Sequence, residues 1–79
     1  MIYCMNIQDS SGDVVVRVVF DLHKDGVDVE GYKIRGEAFP ACTIWHFIDH
    51  VAKLVDYDEL GPKSKRDLDD IAGFLAAHL

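Results

Sequence analysis

Residues 14–34 read VVVRVVFDLHKDGVDVEGYKI, and the way this stretch turns back on itself decides the fold. Asp25-Gly26, set between two runs of alternating apolar residues, is the strongest short-range hairpin signal in the chain. The first run puts Val14, Val16, Val18, Phe20 and Leu22 on one side, and Val27 and Val29 continue that phase beyond the turn. Tyr32 and Ile34 then fall on the wrong side of a regular strand, because a slip of one residue exchanges the two faces. A bulge at Glu30-Gly31 returns them to the apolar face, and a glycine inside a strand pattern marks such a place.

Toward the N-terminus, Ile2–Gln8 and Asp13–His23 are strand candidates on either side of DSSG at 9–12, a polar stretch rich in turn formers. With those residues as the loop, Ile7 faces Val14, Met5 faces Val16 and Tyr3 faces Val18. On the opposite side Ile2 lies across from Val19 and Cys4 across from Arg17.

Toward the C-terminus the period changes after Pro40 from alternation to helical spacing. At 100° per residue, Ile44, Phe47, Ile48, Val51, Leu54 and Val55 share an arc of roughly 120°, a core-facing stripe. Pro40 or Thr43 can start this helix, and Gly61-Pro62 is the stop signal at its end. A second helix begins at Ser64, whose SKRD pattern, with Asp67, is a capping-box variant. Its apolar side is Leu68, Ile71, Phe74, Leu75 and Leu79, with Ala72 between them. The expected fold is a single α+β domain over residues 1–79: a three-stranded antiparallel sheet, then a two-helix antiparallel hairpin packed on one face.

A chain of 79 residues buries only about 60–65% of its unfolded surface, so each apolar face counts. With 49% hydrophobic and 28% charged residues the composition is neither disordered nor membranous. MIYCMNIQDS lacks the basic start and long apolar run of a secretory signal, which places the protein in a cytoplasm with Cys4 and Cys42 reduced. The glycines at 26, 31 and 36 match no phosphate-binding spacing, and no cofactor is expected.

His46 and His50 lie one helical turn apart, with Asp49 beside the second. Zinc needs three or four ligands, and Cys42 stands about 12 Å from His50 along a helix, too far to share its metal. Phe47 also occupies the place where HExxH requires its glutamate. The expected arrangement is a solvated face with Asp49 paired to Lys53, and no metal site. His23 and His78 read as structural. Ser10, Ser11 and Ser64 sit in a turn and at a helix cap, without a nucleophile elbow. Cys42 with His46 one turn on is the best enzymatic alternative, but no oxyanion donors or substrate cleft accompany it, so no catalytic residue is assigned.

Charge carries more information. Fourteen acidic residues against eight basic ones give a net charge of −6, which argues against direct contact with nucleic-acid phosphates. Asp56, Asp58 and Glu59 end the first expected helix, against its dipole, while Asp67, Asp69 and Asp70 open the second, where they suit it. A helical hairpin would crowd these carboxylates at one end of the molecule, interrupted by Lys63, Lys65 and Arg66. One reading is solubility charge with local pairing; the other is an acidic surface that docks on a basic groove. Trp45, at the border of the polar side of its helix, either packs at the rim of the core or anchors an interface. On the outer sheet face Ile2, Cys4, Val15 and Val19 form an apolar end, a candidate homodimer contact.

An acidic chain of this size, built of a few strands and two helices, with clusters VDYDEL at 55–60 and RDLDD at 66–70, resembles the small anti-CRISPR proteins of phages and mobile elements. The resemblance covers the whole chain and rests on size, charge and architecture. It implies inhibition by binding in a bacterial cytoplasm, where such proteins occupy the nucleic-acid-contacting surface of a CRISPR effector, sometimes as nucleic-acid mimics. These proteins share no common fold, so no residue roles carry over. The expected function is a non-enzymatic acidic inhibitor, with neither direct nucleic-acid nor membrane binding, docking through Asp56, Asp58, Glu59, Asp67, Asp69, Asp70 and Trp45. The alternative is a homodimeric accessory or antitoxin-like module using the outer sheet face.

Overall fold

The computed structural model describes residues 1–77, with side chains described through Ile71. Strands β1 (Ile2–Gln8), β2 (Val14–His23), β3 (Gly26–Ile34), β4 (Glu37–Phe39) and β5 (Cys42–Thr43) precede helix α1 (Ile44–Leu54), a 3-10 turn (Tyr57–Glu59) and helix α2 (Pro62–Ala77). The result is α+β: a five-stranded antiparallel sheet in the order β1-β2-β3-β4, with β5 also on β3, followed by two helices.

The β2–β3 hairpin follows its sequence signals. His23 pairs with Gly26 across Lys24-Asp25, and Gly26 takes φ +146°, where a side chain would strain the backbone. Val19 pairs with Gly31 but Phe20 with Val29, so Glu30 is the extra residue of a bulge. That one residue restores the phase: Val29, Tyr32 and Ile34 are all buried.

Between β1 and β2 the expected faces form in a different register. Ile7 pairs with Val16, Met5 with Val18 and Tyr3 with Phe20. The loop accounts for the shift. One carboxylate oxygen of Asp9 accepts from the N–H groups of Ser11 and Asp13 at 2.9 and 3.0 Å, building a side-chain-stabilised turn. The ladder is irregular beside it, between Ile7 and Gln8, where Val15 becomes the bulged residue. An even shift keeps the side chains from Val16 to Leu22 on their expected faces. The bulge exchanges the two residues before them. Val15 is 3% exposed, in the core, and so is not the outer-face contact residue the alternation suggested, while Val14, expected on the apolar face, is 39% exposed opposite Gln8.

The three-stranded expectation falls short at β4 and β5. Arg35 and Gly36 both have positive φ, 50° and 85°, the backbone of a tight hairpin turn usually written Asn-Gly or Gly-Gly. Arginine there hides the signal, and the turn returns Glu37–Phe39 along Lys33 and Tyr32. Pro40-Ala41 interrupts the pairing, and Cys42 and Thr43 resume it opposite Val29 and Asp28.

Thr43 also starts α1, its hydroxyl accepting from the His46 N–H at 3.1 Å. Ile44, Phe47 and Val51 are buried, and α1 lies on β3 and β5. The helix stops earlier than the apolar stripe: Val55 is extended, and its N–H closes onto the Val51 carbonyl at 2.8 Å. Leu54 therefore faces outward, 48% exposed, rather than joining the core, while Val55 stays buried. Asp56 diverts the chain by accepting from the Asp58 N–H at 3.0 Å, a local bond that competes with helix continuation. Asp56, Asp58 and Glu59 thus belong to the separate 3-10 turn, not to the C-terminus of α1, and do not oppose its dipole.

Helix α2 begins at Pro62, where proline's missing N–H costs nothing. Ser64 is inside the helix rather than capping it: its buried hydroxyl accepts from the Gln8 N–H at 2.8 Å. Beside it the Gly61 N–H donates to the Gln8 carbonyl and the Ser10 N–H to the Glu59 carbonyl, at 3.1 and 3.0 Å, with Leu60 buried between them. This clasp ties the start of α2 to the end of β1. Leu68 and Ile71 pack against the core, whereas Ala72, Phe74, Leu75, His78 and Leu79 lie outside the residues whose side chains are described. Among the described residues no helix is long and apolar enough to cross a membrane.

Ser64→Ala should destabilise the protein by about 1–3 kcal/mol, the cost of leaving a partly buried N–H without its partner. Chemical denaturation reads this directly. Ser64→Thr, which keeps the acceptor, should recover part of the loss if the site admits its methyl group.

Candidate functional site: the acidic end

The 3-10 turn and the first turns of α2 meet through one side chain. The Tyr57 hydroxyl donates to a carboxylate oxygen of Asp69 at 3.1 Å, and the Lys65 ammonium lies 5.4 Å from the Tyr57 ring centroid. The Tyr57 phenol is held above its ordinary pKa of 10.0 by burial first, then by the Asp69 hydrogen bond and the charges of Asp69 and Asp58. Negative charge from both segments therefore converges on this ring. Asp58 and Asp69 act on it directly, and Asp56 and Glu59, exposed like them, lie close to it along the chain.

The six carboxylates divide rather than crowding together. Asp67 and Asp70 line the opposite flank of α2, bordering an open groove of about 850 Å³ with Tyr3, Met5, Lys63 and Ile71. Positions 67 and 69 are roughly 200° apart on a helix, which explains the split. Counter-ions temper part of the field: Lys63 sits 2.9 Å from Asp67, and Arg35 sits 3.1 Å from Glu59. Both pairs are exposed enough that their value for stability is small. Among the described residues Asp56, Asp58, Asp69 and Asp70 form no salt bridge with a basic group. Trp45 is 49% exposed, on the solvent side of α1 rather than packed into the core.

The histidine face resolves into two environments. Asp49 pairs with Lys53 at 2.9 Å, as their spacing predicts, and that ammonium holds the Asp49 carboxyl below its ordinary pKa. His46 is exposed, whereas His50 is half-buried, edge-on to Phe39 with ring centroids 4.6 Å apart. Its Nδ1 shares a hydrogen bond with the Tyr32 hydroxyl. Helical spacing alone could not show this, because Phe39 and Tyr32 arrive from β4 and β3. Cys42 completes the recess, and burial pushes its thiol up, against hydrogen bonds with the Phe47 backbone and Tyr32 that lower it. A raised thiol is the opposite of what a thiolate nucleophile requires. Among the described residues no three His, Cys, Asp or Glu side chains gather to hold a metal.

On the outer sheet face, Cys4 is opposite Val19, Ile2 opposite Asp21 and Asn6 opposite Arg17. Ile2 is 63% exposed, Cys4 is exposed and Val19 is half-buried. The Arg17 Nε donates to the Asn6 amide oxygen at 3.0 Å, and His23 meets Asp28 at 2.9 Å. The face is more polar than the sequence register suggested, and its apolar part is confined to Ile2, Cys4 and Val19.

Comparison with known proteins finds no match: no family model, no curated protein and no solved structure matches this chain.

Proposed function

We propose that this protein is a non-enzymatic interaction protein whose acidic end docks on a basic, nucleic-acid-binding surface of another protein, in the manner of an anti-CRISPR inhibitor acting on a CRISPR effector in a bacterial cytoplasm. The observation that carries the reading is the Tyr57–Asp69 link, which fixes carboxylates from two segments around one aromatic ring. A net charge of −6 directs such a patch toward basic partners and away from phosphates. Asp58, beside the Tyr57 ring, and Asp70, on the opposite flank of α2, sample both groups of carboxylates, and among the described residues neither forms a salt bridge. Tyr57 supplies the amphipathic contact area that interfaces favour, and Trp45 adds a second exposed ring.

The test compares wild type with Asp58→Lys/Asp70→Lys, both substitutions on exposed side chains, after circular dichroism confirms equal folding. Each is added to purified CRISPR effector complexes, and target DNA binding is measured. Wild type should compete with the DNA, and the double variant should lose at least about tenfold in potency through like-charge contacts. Equal potency of the two proteins on every effector they affect, or no competition by wild type at all, removes the reading.

A further inference from the structure

Strand β1 is the open edge of the sheet. It pairs with β2 on one side, and the direction of its backbone groups is fixed at both ends. The Met1 carbonyl accepts from the Leu22 N–H, toward β2, while Gln8 turns its N–H and C=O away, to Ser64 and Gly61. Alternation along a strand then points the N–H and C=O of Ile2, Cys4 and Asn6 to the open side, where no described strand pairs with them.

Edge strands in natural proteins are guarded by charge, proline or bulges. Residues 1–8 of this chain, MIYCMNIQ, contain neither a charged side chain nor proline. Ile2, Tyr3, Cys4 and Asn6 are exposed.

We infer that β1 pairs antiparallel with β1 of a second copy, about a two-fold axis at Cys4. Three features select a second copy as the occupant. The open positions 2, 4 and 6 are symmetric about 4, so Ile2 meets the partner's Asn6 and Cys4 meets the partner's Cys4. That pairing supplies about six backbone hydrogen bonds between copies. The outer face is also self-complementary in charge: Arg17 and Lys33 occupy the Asn6 end, and Asp21 and Asp28 the Ile2 end, where Asp21 also meets the Met1 ammonium at 3.3 Å and Asp28 meets His23 at 2.9 Å. The two-fold sets the basic end of one copy beside the acidic end of the other. Between them runs an uncharged row of Val19 and Cys4 from each copy.

The inference is independent of acidic docking and uses a different surface. Its test starts with Cys42→Ser, which leaves Cys4 as the sole thiol. Light scattering at high protein concentration under reducing conditions should give twice the 8.9 kDa chain mass, and a short bis-maleimide should link the copies through Cys4. Cys4→Lys, which places two ammonium groups face to face, should weaken association by at least about tenfold. Asn6→Pro removes an open-side N–H while leaving the backbone bonds of the β2 ladder in place and should do the same; Asn6→Ala, which loses only the Arg17 side-chain contact, should not. A monomer at every concentration overturns the inference. So does a dimer that survives both Cys4→Lys and Asn6→Pro, as contact through another surface would produce.

Discussion

Phe47→Ala is expected to remove roughly a third to a half or more of the folding free energy of this protein. Phe47 is 1% exposed and stands where α1 meets the sheet, edge-on to Phe20 and Tyr32 with ring centroids 5.8 and 5.0 Å away. Truncating a buried phenylalanine costs about 3–5 kcal/mol, in lost transfer energy and in the cavity left behind. At roughly 0.05–0.15 kcal/mol per residue, a chain of 79 residues has only about 4–12 kcal/mol in total. The loss is therefore a large share of the whole. Urea denaturation followed by circular dichroism should show the unfolding midpoint of this variant far below that of wild type, with a shortened folded baseline. Leu54→Ala on the same helix, at a half-exposed position, should be close to wild type. A Phe47→Ala protein that unfolds at the wild-type midpoint would mean that α1 is not seated as described.

Leu60→Ala is the second large effect, and it reaches the acidic end. Leu60 is 3% exposed and forms an isolated bridge with Asp9, flanked by the hydrogen bonds from Gly61 to Gln8 and from Ser10 to Glu59. Shortening it should cost about 2–5 kcal/mol. The clasp it fills is also what holds the 3-10 turn and α2 to β1, so the Tyr57–Asp69 bond should loosen with it. Hydrogen exchange at the amides of Ser10 and Gly61 should quicken before exchange in β2 and β3. Uniform quickening throughout the chain would show that the clasp is not a separable unit.

The contrast between these sites explains what the sequence could reveal. The bulge at Glu30-Gly31 was legible because a broken alternation has one economical repair, and the bounds of β1 followed from a plain apolar period. The β1–β2 register was not legible, because it depends on one carboxylate of Asp9 catching two backbone N–H groups. β4 was hidden by Arg35, a residue unsuited to the positive φ it adopts. The acidic residues were visible as clusters, but their grouping was not. Helix periodicity cannot foresee that Val55 turns extended, that Asp56 caps a new turn or that Tyr57 reaches Asp69. Likewise Ser64 carried a capping pattern that lost to a long-range partner, the Gln8 N–H.

The central claim is that this molecule binds through carboxylates to a basic surface. Its most direct test is the salt dependence of wild-type binding to the effector complex that the competition assay selects, measured by calorimetry across a range of salt concentrations. Docking through Asp56, Asp58, Asp69 and Asp70 predicts that affinity falls steeply as salt rises, because exposed charges are screened within about 10 Å at 0.1 M. Affinity unchanged by salt would contradict it, for that is the behaviour of a contact made without charge pairing.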